Sequence, residues 1–503
     1  MKIKHKRNKS KILIIFIFIL FGLGLTLRTI KLSKQPFYDW DEGIYAQVGK
    51  EIIQNKNIKT TFNGTVWLNK PPLLHLITAF ALKLSKTYEE TNARLVITVF
   101  SFLVILLTYK LTLKLTNNKL LSLLSTALLL SSKTYIERSS ILNTDIIIGL
   151  SWIGYVYFID KFWIKTFFLV LGVWSKSLVG FFPLVYEIIN FVHKNKKVTI
   201  SKIRIFLATV FIQVGIASLW YFYAYLNFGD YFLKAHFYDQ IFKRVIKPIE
   251  SHFGNNLGLL YYPYLFWNDS KILTLLSVTS IVTILYNLIH KLKKIRFNFI
   301  KLFYNLNQLE LLVVFYLPFL LLLTISKSKI YWYITFILPL LSITAVSILL
   351  KIKKKIIYWL IFITVFLFSL TSFLQQTIFY NHKVSTNERY VLAECVKEES
   401  AEKLAYLMKE SERLNYRFLK ENDLDTATTF IYGGSPSFVY YSNKKPDFYY
   451  EEKKFVKNYR NYPIVIIQKV DYLNLGIDTN DYELKCETNN QLDHKKWLVF
   501  VKK

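Results

Sequence analysis

The strongest constraint on this chain is a succession of apolar runs separated by short, lysine-rich loops. Each run is roughly 15–22 residues long, and a helix needs about 20 to cross a bilayer. The first, Ile12 to Leu27, follows the basic leader MKIKHKRNKSK, and no small-x-small cleavage site comes after it. A retained first helix with a cytoplasmic N-terminus is therefore expected rather than a removed signal peptide. Assigning basic loops to the inside predicts about eleven spans, near 12–30, 93–109, 120–132, 146–160, 166–175, 178–192, 205–222, 271–289, 309–325, 330–350 and 356–374. The net charge of +31 does not imply nucleic acid, because the lysines sit where they would orient helices. The 16 glycines are few for a transporter of closely packed, flexing helices.

This pattern predicts a polytopic α-helical membrane domain over residues 1–380. Its first outer loop spans 31–91, in which the apolar stretch 71–85 is too short to span and is expected to lie at the interface. From about 381 the composition turns mixed and charged. Residues 385–420 read as helical, and β-prone runs occur at 426–432, 463–469 and 497–502. A small extracytoplasmic α/β domain over 381–503 is expected. Both cysteines, Cys395 and Cys486, fall in it. They are either a disulfide, in an oxidising compartment, or two thiols. No zinc or iron–sulfur spacing occurs.

The polar residues on the predicted outer side are the informative ones. The acids are Asp39, Asp41, Glu42 and Asp145; the basic groups are Lys70, Arg138, Lys176, His236, Arg244, His252 and Lys329. Ionisable groups near membrane depth are costly and tend to be functional. Each also has an ordinary use: Asp145 as a helix cap, Lys70 and Lys329 as interfacial anchors, Asp39 and Asp41 as loop solvation. Their convergence from several outer turns favours a site. One carboxylate and several cations suffice for displacement at a sugar carried on a lipid phosphate. The phosphate leaves without protonation and needs cations, and the acceptor hydroxyl needs one base. A divalent metal fits the Asp39-Trp40-Asp41 spacing but is not required, because lysine and arginine can neutralise the phosphate.

The stretches DEGIYAQVGKEII, NKPPLLHLITAFALKL and NARL resemble the first-loop signature of the GT-C glycosyltransferases of the protein O-mannosyltransferase and aminoarabinose transferase superfamily. RSSILNTDIIIG, WSKSLVGFFPL, AHFYDQIFKR and SKSKIYWYITFILPLL are similar to its later motifs, in order, over about residues 12–350. Ser177 stands where the Lys-Gly turn has glycine, and Ile44 where the aminoarabinose enzymes have arginine before the tyrosine, here Tyr45. The second departure argues against aminoarabinose as the sugar. The resemblance implies an inverting transferase that uses a polyprenyl-phosphate-linked sugar and acts on a lipid, glycan or protein acceptor at the outer face of the cell membrane. It implies Asp41 as the catalytic acid residue and Glu42 as its partner. Lys70, Tyr45, Arg138, Asp145, Lys176, His236, Arg244 and Lys329 are then expected to bind donor phosphate or substrate. A flippase for a lipid-linked glycan and a non-catalytic membrane scaffold are the competing readings.

Overall fold

The computed structural model describes residues 2–84, 89–197, 199–242, 257–380, 387–421, 435–489 and 493–503. The run 426–432, Arg244 and His252 lie outside the described residues. Helix α1 (Lys2–Leu32) leads into the first loop, which is largely ordered. The loop carries helix α2 (Asp41–Asn55), a hairpin of β1 (Thr61–Phe62) and β2 (Thr65–Val66), and helix α3 (Leu73–Leu84). Helices α4 (Glu89–Thr116), α5 (Lys119–Leu130), α6 (Lys133–Arg138), α7 (Asp145–Tyr157), α8 (Phe162–Lys176), α9 (Pro183–Lys194), α10 (Ile200–Ala217) and α11 (Leu219–Phe232) follow. Four more long or apolar helical segments, 271–294, 308–325, 331–351 and 355–376, complete the bundle.

Each expected span falls on helix, but seven helices among the described residues are long and apolar enough to cross a membrane alone, not eleven. The difference has a physical reason. Three of the other four expected spans fall on α5, α7 and 338–345, which are largely apolar and enclosed by protein, so they need not be matched to lipid thickness; the fourth falls on α9, which is only 12 residues long. Lipid-facing helices instead expose large side chains, such as Phe16, Phe211 and Leu360. The stretch 223–242, expected as loop, continues as α11 and a wide helical turn over Leu233–Phe242.

The C-terminal part is an α/β domain with a five-stranded mixed sheet. Its strands are β3 (Lys403–Leu407), β4 (Lys445–Tyr449), β5 (Ile464–Gln468), β6 (Tyr482–Glu487) and β7 (Trp497–Lys502), in spatial order β4-β3-β5-β7-β6. Strands β3, β4 and β5 are parallel; β7 pairs antiparallel with β5 and β6. The expectation of continuous helix over 385–420 fails at β3. Lys-Leu-Ala-Tyr-Leu is rich in helix formers, yet it is a buried interior strand between β4 and β5, because parallel strands take continuous apolar runs. Cys395 and Cys486 form a disulfide joining helix Glu388–Lys397 to β6.

The domain docks on the first loop through the helix Pro436–Ser442. Tyr440 OH donates to Glu89, Tyr441 OH donates to Glu90 at 2.6 Å, and Lys50 Nζ reaches the Tyr440 carbonyl at 2.6 Å. Gly43 makes the approach possible, since a Cβ there would lie 2.7 Å from Ser437 N. We expect Gly43→Val to force the domain off the loop. The check is thermal unfolding in detergent: Tm should drop by several degrees, since an overpacked contact of this kind costs about 1–3 kcal/mol.

Candidate active site

The site begins with a strained turn. Trp40, between two aspartates, has φ +66°, a conformation that costs a bulky residue about 1–3 kcal/mol and persists only when its surroundings hold it. The turn is held by the Glu42–Arg94 pair. Glu42, the second residue of α2, is buried and accepts from Arg94 Nε at 3.0 Å and Nη2 at 2.7 Å, from Leu142 N–H at 2.8 Å and from Tyr38 N–H at 3.0 Å. Arg94 also donates to the carbonyls of Leu32, Gln35 and Pro36. Glu42 therefore ties α2, α4 and the loop before α7 together, with both oxygens engaged.

Asp41 is directed elsewhere. Its Oδ1 lies 2.9 Å from Lys70 Nζ, which also donates to Tyr45 OH at 2.6 Å. Lys70 is brought there by the hairpin. Asn63 and Gly64 both take positive φ, the two-residue turn that matches strand twist. Glu51 on α2 fastens that turn by accepting from Asn63 N–H and Thr61 Oγ1, each at 2.6 Å. The Asn-Gly pair was the signal in the sequence that locates this hairpin.

Two further cations converge on Asp145. Arg138 Nη2 lies 3.1 Å from its Oδ2, and Lys176 Nζ is bonded to Oδ1. Asp145 is not the cap of α7: Asn143 Oδ1 accepts from the N–H groups of Asp145 and Ile146 at 3.0 and 3.1 Å, leaving Asp145 to the cations. Lys176 sits over the Tyr333 ring at 4.2 Å and Arg138 over Trp332 at 5.2 Å. Ser177, beside Lys176, has φ +60°, where glycine is favoured. Its hydroxyl is bonded to Tyr221 OH at 2.8 Å and His236 Nε2 at 2.7 Å, which holds the serine in that conformation.

These groups line one cavity of about 870 Å³. Its wall includes Asp41, Lys70, Arg138, Asp145 and Lys176, the aromatic run 331–333, and Lys409, Glu412 and Asn415 from the C-terminal domain. The last three were not singled out in the sequence, because nothing local marks a residue that reaches a cavity across a domain contact. Asp41 and Lys70 keep 34% and 25% of their side-chain surface open, toward this space. Burial pushes the Asp41 carboxyl up, but Lys70, Arg138 and Lys176 outweigh it and hold it at about 2. Burial also raises the Tyr45 hydroxyl to about 12, with Asp41 adding to the effect, so Tyr45 stays protonated beside Lys70. Burial lowers Lys70, and Asp41 and Tyr45 more than reverse that, holding its ammonium above the usual value.

Of the other expected site residues, His236 and Lys329 do not line this cavity. His236 is buried, bonded to Ser177 and, through Nδ1, to the Leu68 carbonyl at 3.0 Å; burial lowers it to about 4. It braces the irregular segment after β2 that carries Lys70 rather than lining the cavity. Lys329 caps the carbonyls of Leu323 and Thr324 at the end of helix 308–325, a C-terminal position that favours a cation. Asp39 also lines the cavity but is bonded to Ser437 and faces Arg389, so the two aspartates of the D-x-D spacing share no partner. Among the described residues no three His, Cys, Asp or Glu side chains cluster with metal-site geometry. Asp41, Glu42 and Asp145 are each paired with lysine or arginine, and Glu137 accepts from Tyr331 OH; the cations make a donor set suited to an anion.

Comparison with known proteins agrees with this architecture. No family model matches the chain. An uncharacterized protein of Aquifex aeolicus is 24% identical over 242 residues, 45% of this chain and 48% of that relative, so the match spans about half the relative's length. Among solved structures, ArnT from Cupriavidus metallidurans in the apo state superposes with a TM-score of 0.67 at 12% identity, covering 98% of both chains. The same protein bound to undecaprenyl phosphate gives 0.67 at 12% identity over 97% of both. The archaeal oligosaccharyltransferase AglB from Archaeoglobus fulgidus, in complex with an inhibitory peptide and a dolichol-phosphate, gives 0.55 at 10% identity over 92% of this chain and 70% of its own. The chain therefore has the GT-C glycosyltransferase fold. Within that class it follows the ArnT architecture along its whole length, C-terminal domain included.

Arg94→Leu would leave Glu42 buried without a counter-ion, which costs about 3–5 kcal/mol. We expect the variant to lose most folded protein in detergent size-exclusion. Glu42→Gln with wild-type Arg94 should fare better, because its one amide oxygen still accepts from Leu142 N–H and Arg94 Nε, the partners of Oε1.

Proposed function

We propose that this chain is an integral-membrane, inverting glycosyltransferase. It moves a sugar from a polyprenyl-phosphate donor to an acceptor hydroxyl at the extracytoplasmic face, with the N-terminus in the cytoplasm and the C-terminal domain outside. The observation that carries the reading is the cavity in which Asp41 opens onto Lys70, with Arg138 and Lys176 nearby on Asp145. The likeness in fold to an ArnT bound to undecaprenyl phosphate and to an AglB holding a dolichol-phosphate and a peptide supports it.

In this reading the donor phosphate takes Lys70, Arg138 and Lys176 as partners. The acceptor oxygen bonds to the anomeric carbon from the face opposite the phosphate. The bond from that carbon to the phosphate oxygen breaks, its electron pair leaves with the phosphate, and the acceptor proton passes to Asp41. Resting Asp41 is a weak base because Lys70 holds it ionised. Once the phosphate competes for the Lys70 ammonium, Asp41 loses its counter-ion and its basicity rises where the proton arrives. Tyr45 keeps Lys70 in reach, and Glu42 holds the turn. Arg244 is retained as a further phosphate cation on the strength of its motif. The reaction so written needs no metal; lysine and arginine carry the charge. The acceptor can be lipid, glycan or protein.

The test is sugar transfer from labelled polyprenyl-phosphate sugars in membranes holding wild type or Asp41→Asn at equal expression. Wild type should transfer, and the variant should fall about 10²–10⁴-fold. Equal rates would remove Asp41 as the base, and lipid-glycan translocation without transfer would favour the flippase.

The pH dependence follows from the Asp41 shift. A carboxyl held near 2 when folded supports the fold above its ordinary value of about 4, and that support is lost as pH falls through about 2. The kcat/KM of the free enzyme should accordingly show no acid limb down to about pH 4. A limb at pH 6–7 would assign the proton to another group.

A further inference from the structure

Asp39 stands two residues before the proposed base and is bonded to other partners. Its Oδ1 accepts from Ser437 N–H at 3.0 Å and from Ser437 Oγ at 2.5 Å, and its Oδ2 lies 3.7 Å from Arg389 Nε. Both partners belong to the C-terminal domain, and both are themselves held. Arg389 is buried, bonded to Tyr406 OH, paired with Glu412 at 3.2 Å and seated over the Trp497 ring at 4.8 Å. Ser437 lies in the first turn of helix 436–442, whose Tyr441 OH also accepts from Phe37 N–H at 2.7 Å. The helix carrying Arg389 is tied to the sheet by the Cys395–Cys486 disulfide.

The turn from Tyr38 to Asp41 is thus gripped from two directions. The membrane domain holds it through Glu42 and Arg94, and the C-terminal domain holds it through Asp39. Between the two grips lies Trp40 with its positive φ, a conformation that needs such holding. Asp41 follows directly, so the pitch of that turn sets where its carboxylate points relative to Lys70.

We propose that Asp39 is a positioning residue through which the C-terminal domain aims Asp41 into the cavity. The domain is then part of the catalytic loop's scaffold as well as a wall of the cavity. The proposal rests on the reading of Asp41 as the base. It assigns Asp39 a use that the D-x-D spacing alone would give to a metal ion.

The experiment takes full-length protein in detergent, with the disulfide intact and the protein monodisperse, as wild type, Asp39→Ala, Asp39→Asn and Arg389→Gln. Amide hydrogen exchange over residues 36–46 and steady-state transfer are both followed. In Asp39→Ala, exchange over 36–46 should quicken, kcat should fall about 10–100-fold, and donor KM should stay within about twofold, since misplacing a reacting group by about 1 Å costs on this scale. Asp39→Asn keeps the oxygen that accepts from Ser437 and should recover most of kcat. Arg389→Gln should shift exchange in the same direction. Unchanged exchange in Asp39→Ala and Arg389→Gln would overturn the proposal. So would an Asp39→Asn protein as inactive as Asp39→Ala with wild-type exchange, because charge at Asp39 would then act in the chemistry itself. If wild type transfers from no donor, the functional reading fails by itself, and the exchange result still decides whether the C-terminal domain holds the turn.

Discussion

A fully enclosed ion pair, Glu42 with Arg94, carries the organisation of this protein. Two opposite charges out of water survive only when every remaining lone pair and N–H finds a partner. Here they do, by recruiting the end of α1, the turn before α2 and the loop before α7. A network of that kind fixes a geometry more than it adds stability. It makes the first loop, nominally outside the bundle, a rigid part of it. Half of the site hangs from that loop: Asp41 one residue earlier, Tyr45 one turn later, and Lys70 by way of a hairpin fastened to Glu51.

The same economy of charge shapes the cavity. Asp41 and Asp145 are each held by cations, and the cations are seated over aromatic faces. A site balanced this way is stable when empty of substrate, and it exchanges partners rather than creating charge when an anion arrives. Preorganised dipoles and charges of this kind are worth more in an enclosed space than in water. The short, buried helices α5 and α7 allow it. The irregular backbone between Ser139 and Thr144 lies at the mouth of the bundle, where broken helix is tolerated because it lines a cavity.

Much of this was legible from residue order. The apolar periodicity marks the helices, the Lys-rich loops mark their turns, and Asp41, Lys70, Arg138, Asp145 and Lys176 stand out as charges where charges are expensive. All five line the same cavity. Other assignments were not legible, for particular reasons. Lys329 looks like a phosphate ligand in the string Ser-Lys-Ser-Lys and is a helix cap in space. His236 looks like a site histidine and is a brace between Ser177 and the Leu68 carbonyl. Residues 403–407 have helix-forming composition and become an interior strand, since burial on both faces outweighs local preference.

The sequence by itself determined that the chain lives in a membrane, that a few acids and cations stand where charge is costly and that an α/β domain follows, because hydrophobic transfer and charge desolvation act on residue type and spacing alone. Only the tertiary structure decided which carboxylate meets which cation. Asp39, Asp41 and Glu42 are neighbours of the same chemical kind, and no local rule separates them. Their directions are set by Ser437 and Arg389, by Lys70 and by Arg94, partners that the fold brings from distant parts of the chain.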